Sequence, residues 1–462
     1  MKLVVQKKKY SRNKVMMITL GGSILEYYNY SLYGLAAALI FNHQFFPNVT
    51  PTLAIVLSLA TFGSGFLAQP LGSILFSHIG DKYGRARALF ITMILLGGVT
   101  VGIGLIPNYS TIGIWAPVSL LFLRVVQGIA AGGEMSGSAI FGLESAPDNK
   151  RALYGSFTSM GSGIGALTGV IIFFIINEVF GERAFQEWAW RIPFLFGAVI
   201  LVFVFLARRG VVEQEKVEFE NKEKQSEIAS FPLGEVFRNY KLTFLKVVGV
   251  EIGYMAFAML GAVYFLSYLK SVGFSDHVTM VSQILYQVVI IPLVPVMATI
   301  SDNWNRKALM CIGSILNIFA MTAFFMIVPG SAPVVVYILT IVVAMTTTVM
   351  YGGMLTFLAE QFPARIRYTG FGVAFAVGGA IGGGFGPTVA AIIFDASDGS
   401  GIMLSLFAIG LGLLMVISTL GLKNHAQRML EEIDGDSVHT TEAIQKHVEP
   451  GRETSTIDET SV

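Results

Sequence analysis

Three ionisable residues lie in stretches that are otherwise rich in apolar residues and glycine, namely Glu26, Arg124 and Glu134. A charged side chain at the centre of a membrane helix costs at least ~2.5 kcal/mol, so each of them needs a partner or a function. Desolvation pushes a buried carboxyl group toward its neutral form, which suits the loading and release of a proton. A buried arginine can instead contact the carboxylate of a substrate.

Arg124 leaves three interpretations open: a structural pair with a neighbouring helix, a contact with a substrate carboxylate, or a conformational salt bridge with Glu26 or Glu134. Gln127 follows three residues later on the same helical face. Glu134 follows Gln127 at about the same angle and ~10 Å farther along the helix. We therefore predict that Arg124 and Gln127 bind substrate. We predict that Glu26 and Glu134 bind the coupling proton.

Two charged clusters occur twice in the chain, and the copies are about 220 residues apart. The first-half residues are Asp81, Arg85, Glu144 and Arg151, and their second-half counterparts are Asp302, Arg306, Glu360 and Arg367. Recurrence in the same order predicts a duplicated helical bundle, which is typical of transporters. We predict ion pairs that hold the cytoplasmic side shut, with Arg85 reaching Glu144 and Arg306 reaching Glu360. The alternative is that these residues are ordinary solvated loop charges.

The composition predicts that the lipid bilayer is the solvent of this chain. Hydrophobic residues make up 54%, charged residues only 13%, and the mean hydropathy is +0.67. A single cysteine, Cys311, excludes a disulfide scaffold, and the six histidines lack the paired spacing of a metal site. The net charge of +1 gives no indication of a nucleic-acid partner. The sequence contains no phosphate-binding loop, so transport driven by ATP is not expected.

About twelve apolar stretches are long enough to cross a membrane, since each crossing needs ~20 residues. They begin near Val15, Leu53, Ala88, Ser119, Tyr154, Ile192, Leu242, Val278, Ala308, Pro333, Thr369 and Ile402. Lysine and arginine concentrate in alternate loops, which predicts an inner-membrane protein with both termini in the cytoplasm. The long polar loop 208–241 divides a six-helix bundle, 1–207, from a second one, 242–422. The acidic, polar segment 423–462 is predicted to be a disordered cytoplasmic tail.

Several motifs carry a family resemblance. Residues 80–87, GDKYGRAR, resemble the signature loop of the major facilitator superfamily, and residues 124–128, RVVQG, resemble its fourth-helix motif. Segments 26–29, 132–134, 144–147, 367–370 and 382–387 are similar to its metabolite:proton symporter branch, to which the intraphagosomal amino-acid transporters are closely related. The resemblance implies an all-α membrane protein with twelve transmembrane helices in two pseudo-symmetric six-helix bundles.

The resemblance also implies proton-coupled symport of a small metabolite by alternating access. An intramembrane arginine beside carboxylates favours a substrate that bears a carboxylate, such as an amino acid, a betaine or an organic acid. One departure concerns Asn29, where the branch usually carries an aspartate. Because an amide cannot bind and release a proton, coupling rests on Glu26 or Glu134 or is lost. An uncoupled facilitator or exporter stays open, as does a non-transporting sensor that signals through its loop and tail.

Polar residues of the first, seventh and eighth spans complete the predicted substrate site, and they are Asn29, Tyr254, Gln283 and Gln287. A hydrogen bond between helices would explain any of the residues in spans seven and eight equally well. Glu251 occupies a place in the seventh span that corresponds to Glu26 in the first. We expect no enzyme activity, no metal and no cofactor apart from the proton as coupling ion. By analogy with this fold class, we expect a monomer.

Overall fold

The computed structural model describes residues 12–83, 85–222, 232–426, 428–430 and 432, and all regular structure within them is helical. Individual side chains are not described for most of 77–90, for 135–136 or for 207–222, nor at positions 14, 18, 232 and 365. Two predicted gate residues, Asp81 and Arg85, fall in the first of these stretches. Their side chains therefore lie outside the described residues.

Twelve long helices follow one another along the described chain, with short helices between some of them. They are α1 Arg12–Leu39, α2 Pro51–Tyr83, α3 Arg85–Leu105, α4 Trp115–Glu144, α5 Arg151–Ala184, α6 Arg191–Lys222, α7 Lys241–Ser271, α8 Asp276–Asn303, α9 Arg306–Ile327, α10 Pro333–Ala359, α11 Ala364–Ala396 and α12 Gly401–Leu420. Nine helices in the described ranges are long and apolar enough to cross a membrane. The 28 residues of α1 extend for roughly 42 Å, which also exceeds the ~30 Å of a hydrocarbon layer.

The helical structure follows from the solvent. Lipid offers no hydrogen-bond partners to a peptide group, so the backbone of a spanning segment must satisfy its own donors and acceptors. Large apolar side chains accordingly point outward, and Leu71, Phe203 and Ile417 are 64%, 71% and 68% exposed. In water such a surface would drive aggregation, whereas in a bilayer it contacts acyl chains.

The packing repeats between the two halves. In the first half α1 packs on α5, α2 on α4 and α3 on α6; in the second half α7 packs on α11, α8 on α10 and α9 on α12. The two halves meet mainly where α2 packs on α11 and α5 packs on α8. The predicted loop between the halves is partly helical, because α6 continues to Lys222 and a short helix spans Pro232–Asn239.

Glycines allow the closest helix contacts. A Cβ atom at Gly63 of α2 would lie only 2.1 Å from the carbonyl oxygen of Gly384 in α11. A Cβ atom at Gly165 of α5 would lie 2.2 Å from the carbonyl oxygen of Ile24 in α1. Any larger residue would force the backbones apart at either place. Small residues therefore bring together the two halves at α2 and α11, and two helices of the first half at α1 and α5.

Candidate functional site

A cavity of ≈ 60 Å³ lies between the two halves, and helices α1, α5, α7, α8 and α10 form its wall. The polar wall residues are Tyr27, Tyr30, Ser31, Ser162, Tyr254, Tyr286, Gln287, Thr347, Thr348 and Tyr351. Among the described residues no Lys, Arg, Asp or Glu lines this cavity. The wall therefore offers aromatic faces, hydroxyl groups and one amide rather than a fixed charge.

Two features shape the wall on the side of the second half. The rings of Tyr254 and Tyr351 are stacked, with their centroids 4.6 Å apart and an interplanar angle of 16°. The helix α7 widens into a π-helical turn over Leu260–Tyr264, which contains the wall residues Ala262 and Val263 and follows the wall residue Met259. Such π turns are frequent at functional sites because they change which side chains a helix presents.

A smaller cavity of ≈ 10 Å³ lies beside the first one and contains the predicted proton site Glu26. The Tyr30 hydroxyl donates a hydrogen bond to Oε1 of Glu26 at 3.1 Å and accepts one from the amide of Gln69. Tyr27 and Tyr30 line both cavities. Glu26 is only 3% exposed and lies about 21 Å along α1 from Arg12, which places its carboxyl group deep in the membrane. The tyrosines connect this carboxyl group to the central cavity.

The second predicted proton site, Glu134, is also buried, and Thr92 donates a hydrogen bond to its Oε2 atom at 3.3 Å. Glu134 and Glu26 interact electrostatically. Asn29 is buried as well, but it lines neither cavity, and its amide atoms have no hydrogen-bond partner among the described residues.

Arg124 stands behind the cavity wall rather than in it. Its Nε donates to the carbonyl oxygen of Phe62 at 3.1 Å, and its Nη1 donates to Oε1 of Gln127 at 2.6 Å. Its guanidinium carbon lies 4.5 Å from the ring centroid of Tyr33 and 5.3 Å from that of Tyr30, which is itself a wall residue. Neither Arg124 nor Gln127, which the sequence predicts to bind substrate, lines the central cavity. Aromatic rings and polar groups stabilise the buried cation instead.

Of the six residues predicted to bind substrate, Tyr254 and Gln287 line the central cavity. Gln283 instead donates a hydrogen bond to the carbonyl oxygen of Gly261, in the π turn of α7, at 2.8 Å. The sequence analysis missed Tyr27, Tyr351 and the hydroxyl groups of α10. The run of three threonines at 346–348, in an otherwise apolar span, is a signal that could have indicated this part of the wall.

Predicted gate residues meet at one end of the bundle, which we call the gated end. Glu360 links both halves there, because its Oε1 accepts a hydrogen bond from Nε of Arg151 in the first half at 2.7 Å. Its Oε2 contacts Arg306 of its own half. Arg306 also donates to Asp302 at 2.8 Å. All four side chains are buried, so the ion pairs are shielded from the screening that weakens such pairs in water.

Asp302 also binds the first turn of α5, in the opposite half. Its two carboxylate oxygens accept hydrogen bonds from the backbone N–H groups of Ala152 at 2.8 Å and Leu153 at 2.9 Å. These N–H groups have no partner within the helix, and the positive end of the helix dipole favours an anion. The duplicated aspartate thus caps a helix across the interface between the halves.

The first-half cluster is only partly described. Arg367 lies 3.7 Å from Oε1 of Glu144, whose side chain is 43% exposed. Arg85, the predicted partner of Glu144, lies outside the described side chains, as does Asp81. Among the described side chains of the first cluster, Glu144 is exposed, whereas Arg151 is buried and forms a shielded ion pair with Glu360 of the second cluster.

The chain beyond α12 packs against the gated end, where the sequence predicts a disordered tail. The carbonyl oxygen of His425 accepts a hydrogen bond from Nη2 of Arg151 at 3.2 Å. The backbone N–H of Leu430 donates to Asp148 at 3.2 Å, and Gln361 exchanges two hydrogen bonds with the backbone of Lys423. This segment therefore contacts both halves. The predicted tail residues 433–462 lie outside the described residues.

His425 is a titratable residue of this segment. Burial of its imidazole, together with the nearby cations Arg428, Lys423, Arg151 and Arg306, lowers the pKa of His425 to about 4. The imidazole is therefore neutral at pH 7 while the segment is packed against the gated end.

The halves also meet at the opposite end of the cavity. The Thr52 hydroxyl donates a hydrogen bond to Asp395 at 3.2 Å, which joins α2 to α11. The rings of Phe174 in α5 and His277 in α8 lie 5.8 Å apart. Contacts between the halves thus flank the cavity on both sides.

Comparison with known proteins agrees with this architecture. Residues 19–387 match the family described as the Major Facilitator Superfamily. The chain belongs to this superfamily. It is 31% identical to the shikimate transporter of Escherichia coli strain K12, over 87% of this chain and 92% of that protein. It is 32% identical to the proline/betaine transporter of the same strain, over 87% of this chain and 80% of that protein.

A solved structure shares the fold of this superfamily member. The proton:xylose symporter XylE bound to 6-bromo-6-deoxy-D-glucose gives a TM-score of 0.69 at 17% sequence identity, over 92% of this chain and 98% of that chain. The expected twelve-helix fold is therefore confirmed. The protein is a multi-pass membrane protein of a transporter family and not an enzyme, and its relatives include bacterial inner-membrane transporters.

Proposed function

We propose that this superfamily member is a secondary transporter that moves a small carboxylate-bearing metabolite together with a proton by alternating access. The observation that carries this proposal is the hydrogen-bonded series from Gln69 through Tyr30 to Glu26, next to the central cavity. It places a carboxyl group that can take up a proton one tyrosine away from the space that a substrate would occupy.

The geometry supports coupling through this series. Tyr30 is part of the cavity wall and is bonded to Glu26, so a substrate that displaces the ring changes the hydrogen bonding of the carboxyl group. A hydrogen bond to an ionised carboxylate stabilises it, and loss of that bond favours the protonated form. Substrate binding and proton binding at Glu26 therefore influence each other. By linkage, the proton changes substrate affinity by the same factor.

The cavity wall favours a zwitterion within the class of carboxylate-bearing metabolites. The ring faces of Tyr27, Tyr254 and Tyr351 can attract an ammonium group by cation–π interaction. Hydroxyl groups of the wall, such as those of Tyr286 and Thr347, can donate to the carboxylate. A simple organic acid would leave the aromatic faces without a cation. We therefore propose an amino acid or a betaine as the substrate, ahead of an organic acid.

Alternating access requires that the two sets of contacts between the halves break in turn. The shielded ion pairs of the gated end hold one entrance shut, and the contacts of Thr52 and His277 hold the other. The distribution of lysine and arginine among the loops supports a cytoplasmic location of the gated end and of both termini. Breaking the Arg151–Glu360 pair then opens the cavity to the cytoplasm.

One observation favours a second candidate, an uncoupled facilitator. Asn29 replaces an aspartate that the metabolite:proton symporters usually carry, and its buried amide has no hydrogen-bond partner among the described residues. If proton coupling requires an aspartate at position 29, this protein would equalise its substrate across the membrane without accumulating it.

Transport in proteoliposomes distinguishes the two candidates. The panel contains labelled glycine betaine, proline, shikimate and lactate, with and without an imposed pH gradient. We expect the parent protein to accumulate a zwitterion in response to the gradient, and Glu26→Gln to abolish this accumulation. The matched control is Glu187→Gln, which removes an exposed carboxylate that does not line the cavity. Equal distribution of substrate by the parent, whatever the gradient, would replace the symporter with the facilitator.

A further inference from the structure

A second carboxyl group is buried in the half of the molecule opposite to Glu26. Glu251 of α7 has no exposed surface, and neither of its carboxylate oxygens has a hydrogen-bond partner among the described residues. It follows Lys241, the first residue of α7, by ten positions, or roughly 15 Å of helix, which is about half of a ~30 Å hydrocarbon layer. The group therefore lies near the middle of the membrane, where a carboxyl group without a function is costly.

The side chain of Glu251 is fixed by close packing. A Cβ atom at Gly378 of α11 would lie 2.5 Å from Cβ and 2.7 Å from Cγ of Glu251. The backbone of α11 thus passes directly over the stem of the side chain. Together with the burial of α7, this contact prevents the carboxyl group from turning toward the membrane surface.

Glu251 lies next to both cavities. Tyr254 and Met255 follow it by three and four residues, so they share its helical face. Tyr254 lines the central cavity, and Met255 lines the smaller cavity that contains Glu26. Tyr27 of α1 interacts electrostatically with both carboxyl groups and lines both cavities. Tyr27 is therefore a shared neighbour of the two buried acids, one in each half.

The surroundings of Glu251 favour a neutral acid in this conformation. The titratable groups that face it are the phenols of Tyr27 from α1, Tyr254 from α7 and Tyr351 from α10. Among the described residues no lysine or arginine forms an ion pair with it. Burial of an ionised carboxylate without a cation or a hydrogen-bond donor is strongly unfavourable. The charged form needs water, which reaches this depth only when the cavity opens.

We infer that Glu251 is a second proton-binding residue of the transport cycle, an inference that rests on the proposed symport. The carboxylic acid carries its proton while the halves are closed. When the cavity opens to the cytoplasm, the acid releases the proton to water and becomes a carboxylate, and it is protonated again from the other side. Related symporters usually carry an additional acid in the first half, at the position of Asn29. Glu251 thereby provides an additional acid in the second half of this protein.

The steady-state accumulation of substrate tests this inference. Each proton that moves down a gradient of one pH unit supports about tenfold accumulation of a neutral zwitterion when the membrane potential is held at zero. Protons at Glu26 and Glu251 together give about 100-fold, and Glu251→Gln reduces the plateau to about tenfold. The plateau is thermodynamic, so a variant that is merely slower or less abundant approaches the same value as the parent. A structural residue therefore does not change it.

Two results would overturn the inference while leaving the proposed symport intact: a parent plateau of about tenfold, or a plateau for Glu251→Gln equal to that of the parent. A parent that accumulates nothing would instead contradict the proposed symport. Glu187→Gln is the control for loss of a carboxylate at an exposed site. Glu251→Asp, which keeps the acid, should restore a plateau above that of Glu251→Gln.

A spectroscopic measurement tests the inference even when Glu251→Gln does not fold or when the protein does not accumulate substrate. Infrared difference spectra of the reconstituted parent, recorded between low and high pH, should contain a carboxylic-acid C=O band from a buried acid. The band assigned to this residue should be missing from Glu251→Asp at the parent frequency and should reappear shifted. If the parent spectrum contains no band that responds to Glu251→Asp, then Glu251 does not exchange a proton.

Discussion

Substitution of Glu360 by glutamine should open the gated end. Both oxygens of Glu360 are engaged, but only the bond to Arg151 joins the two halves, because Arg306 belongs to the same half as Glu360. An open gate therefore loses the first bond and keeps the second. The glutamine side chain is neutral. In place of the charge-assisted hydrogen bond to Arg151 it can form only an ordinary one.

The magnitude follows from that single bond. A hydrogen bond to a charged group contributes about 1.5–3 kcal/mol, so its loss shifts the equilibrium toward the open conformation by about 10- to 150-fold. The two hydrogen bonds from Ala152 and Leu153 to Asp302 remain and limit the shift. Asp148 still contacts Arg151, at 3.1 Å, and prevents that arginine from becoming a buried cation without a partner.

Accessibility of the cavity provides the assay. Ser162 lines the cavity, and Cys311 is the only native cysteine, so Ser162→Cys in a Cys311→Ser background presents one thiol there. In this conformation the buried ion pairs of the gated end stand between the introduced thiol and the solution on that side. In inside-out vesicles, a membrane-impermeant maleimide should label the introduced thiol at least tenfold faster when Glu360→Gln is added.

Glu187→Gln is the matched control for this experiment, because its exposed ion pair with Arg183 joins two residues of one half. It should leave the labelling rate unchanged. Equal labelling rates for Glu360→Gln and its parent would refute the reasoning, since they would mean that the buried ion pair does not influence opening.

Three further predictions concern other parts of the transport cycle. Gly63→Ala forces α2 away from the carbonyl oxygen of Gly384 and should lower the uptake rate about 5- to 150-fold, since overpacking costs about 1–3 kcal/mol. Gly98→Ala, where a Cβ atom meets no atom within 4 Å, should have no effect. Tyr254→Phe keeps the aromatic face and should retain betaine affinity, whereas Tyr254→Ala should weaken binding by ~2 kcal/mol, about 30-fold, in counterflow titrations. The segment that contains His425 should detach as the pH falls from 6.5 toward 4. In this range the imidazole of the detached segment binds a proton, whereas the imidazole of the packed segment stays neutral because its pKa is lowered to about 4. Hydrogen exchange of the segment measures its detachment, and His425→Phe should remove the pH dependence.

The sequence could predict that the duplicated charges lie at one end of the bundle, because this prediction depends on residues that are close together in the sequence. Asp302 and Arg306 are one helical turn apart, and Glu360 ends the apolar stretch that becomes α10. Their order matches that of the first half, so their position at one end of the bundle could be predicted. Two contacts could not be predicted: the capping of α5 by Asp302, and the contact of Arg151 with the chain near His425. Both join residues more than 100 positions apart, and only the packing of the halves brings them together.

The sequence predicted the substrate site less well, because rotation of a helix about its axis decides which residues face a cavity. Each residue turns the helix by about 100°, so a small change in rotation exchanges wall residues for buried ones. Arg124 illustrates this, since its polar character and position suggested a substrate contact, yet α4 turns it toward the rings of Tyr33 and Phe62. Tyr27, next to the predicted Glu26, became a wall residue by the same geometry.

The sequence by itself thus determined that the chain crosses a membrane about twelve times as two related bundles, because span length and charge distribution are read along one dimension. It also predicted that Arg306 and Glu360 would pair. The tertiary structure decided which half supplies each partner of an ion pair, which tyrosines surround the cavity, and that Glu26 and Glu251 share Tyr27 as a neighbour. These facts depend on helix rotation and on contacts between distant segments, which require the packed bundle.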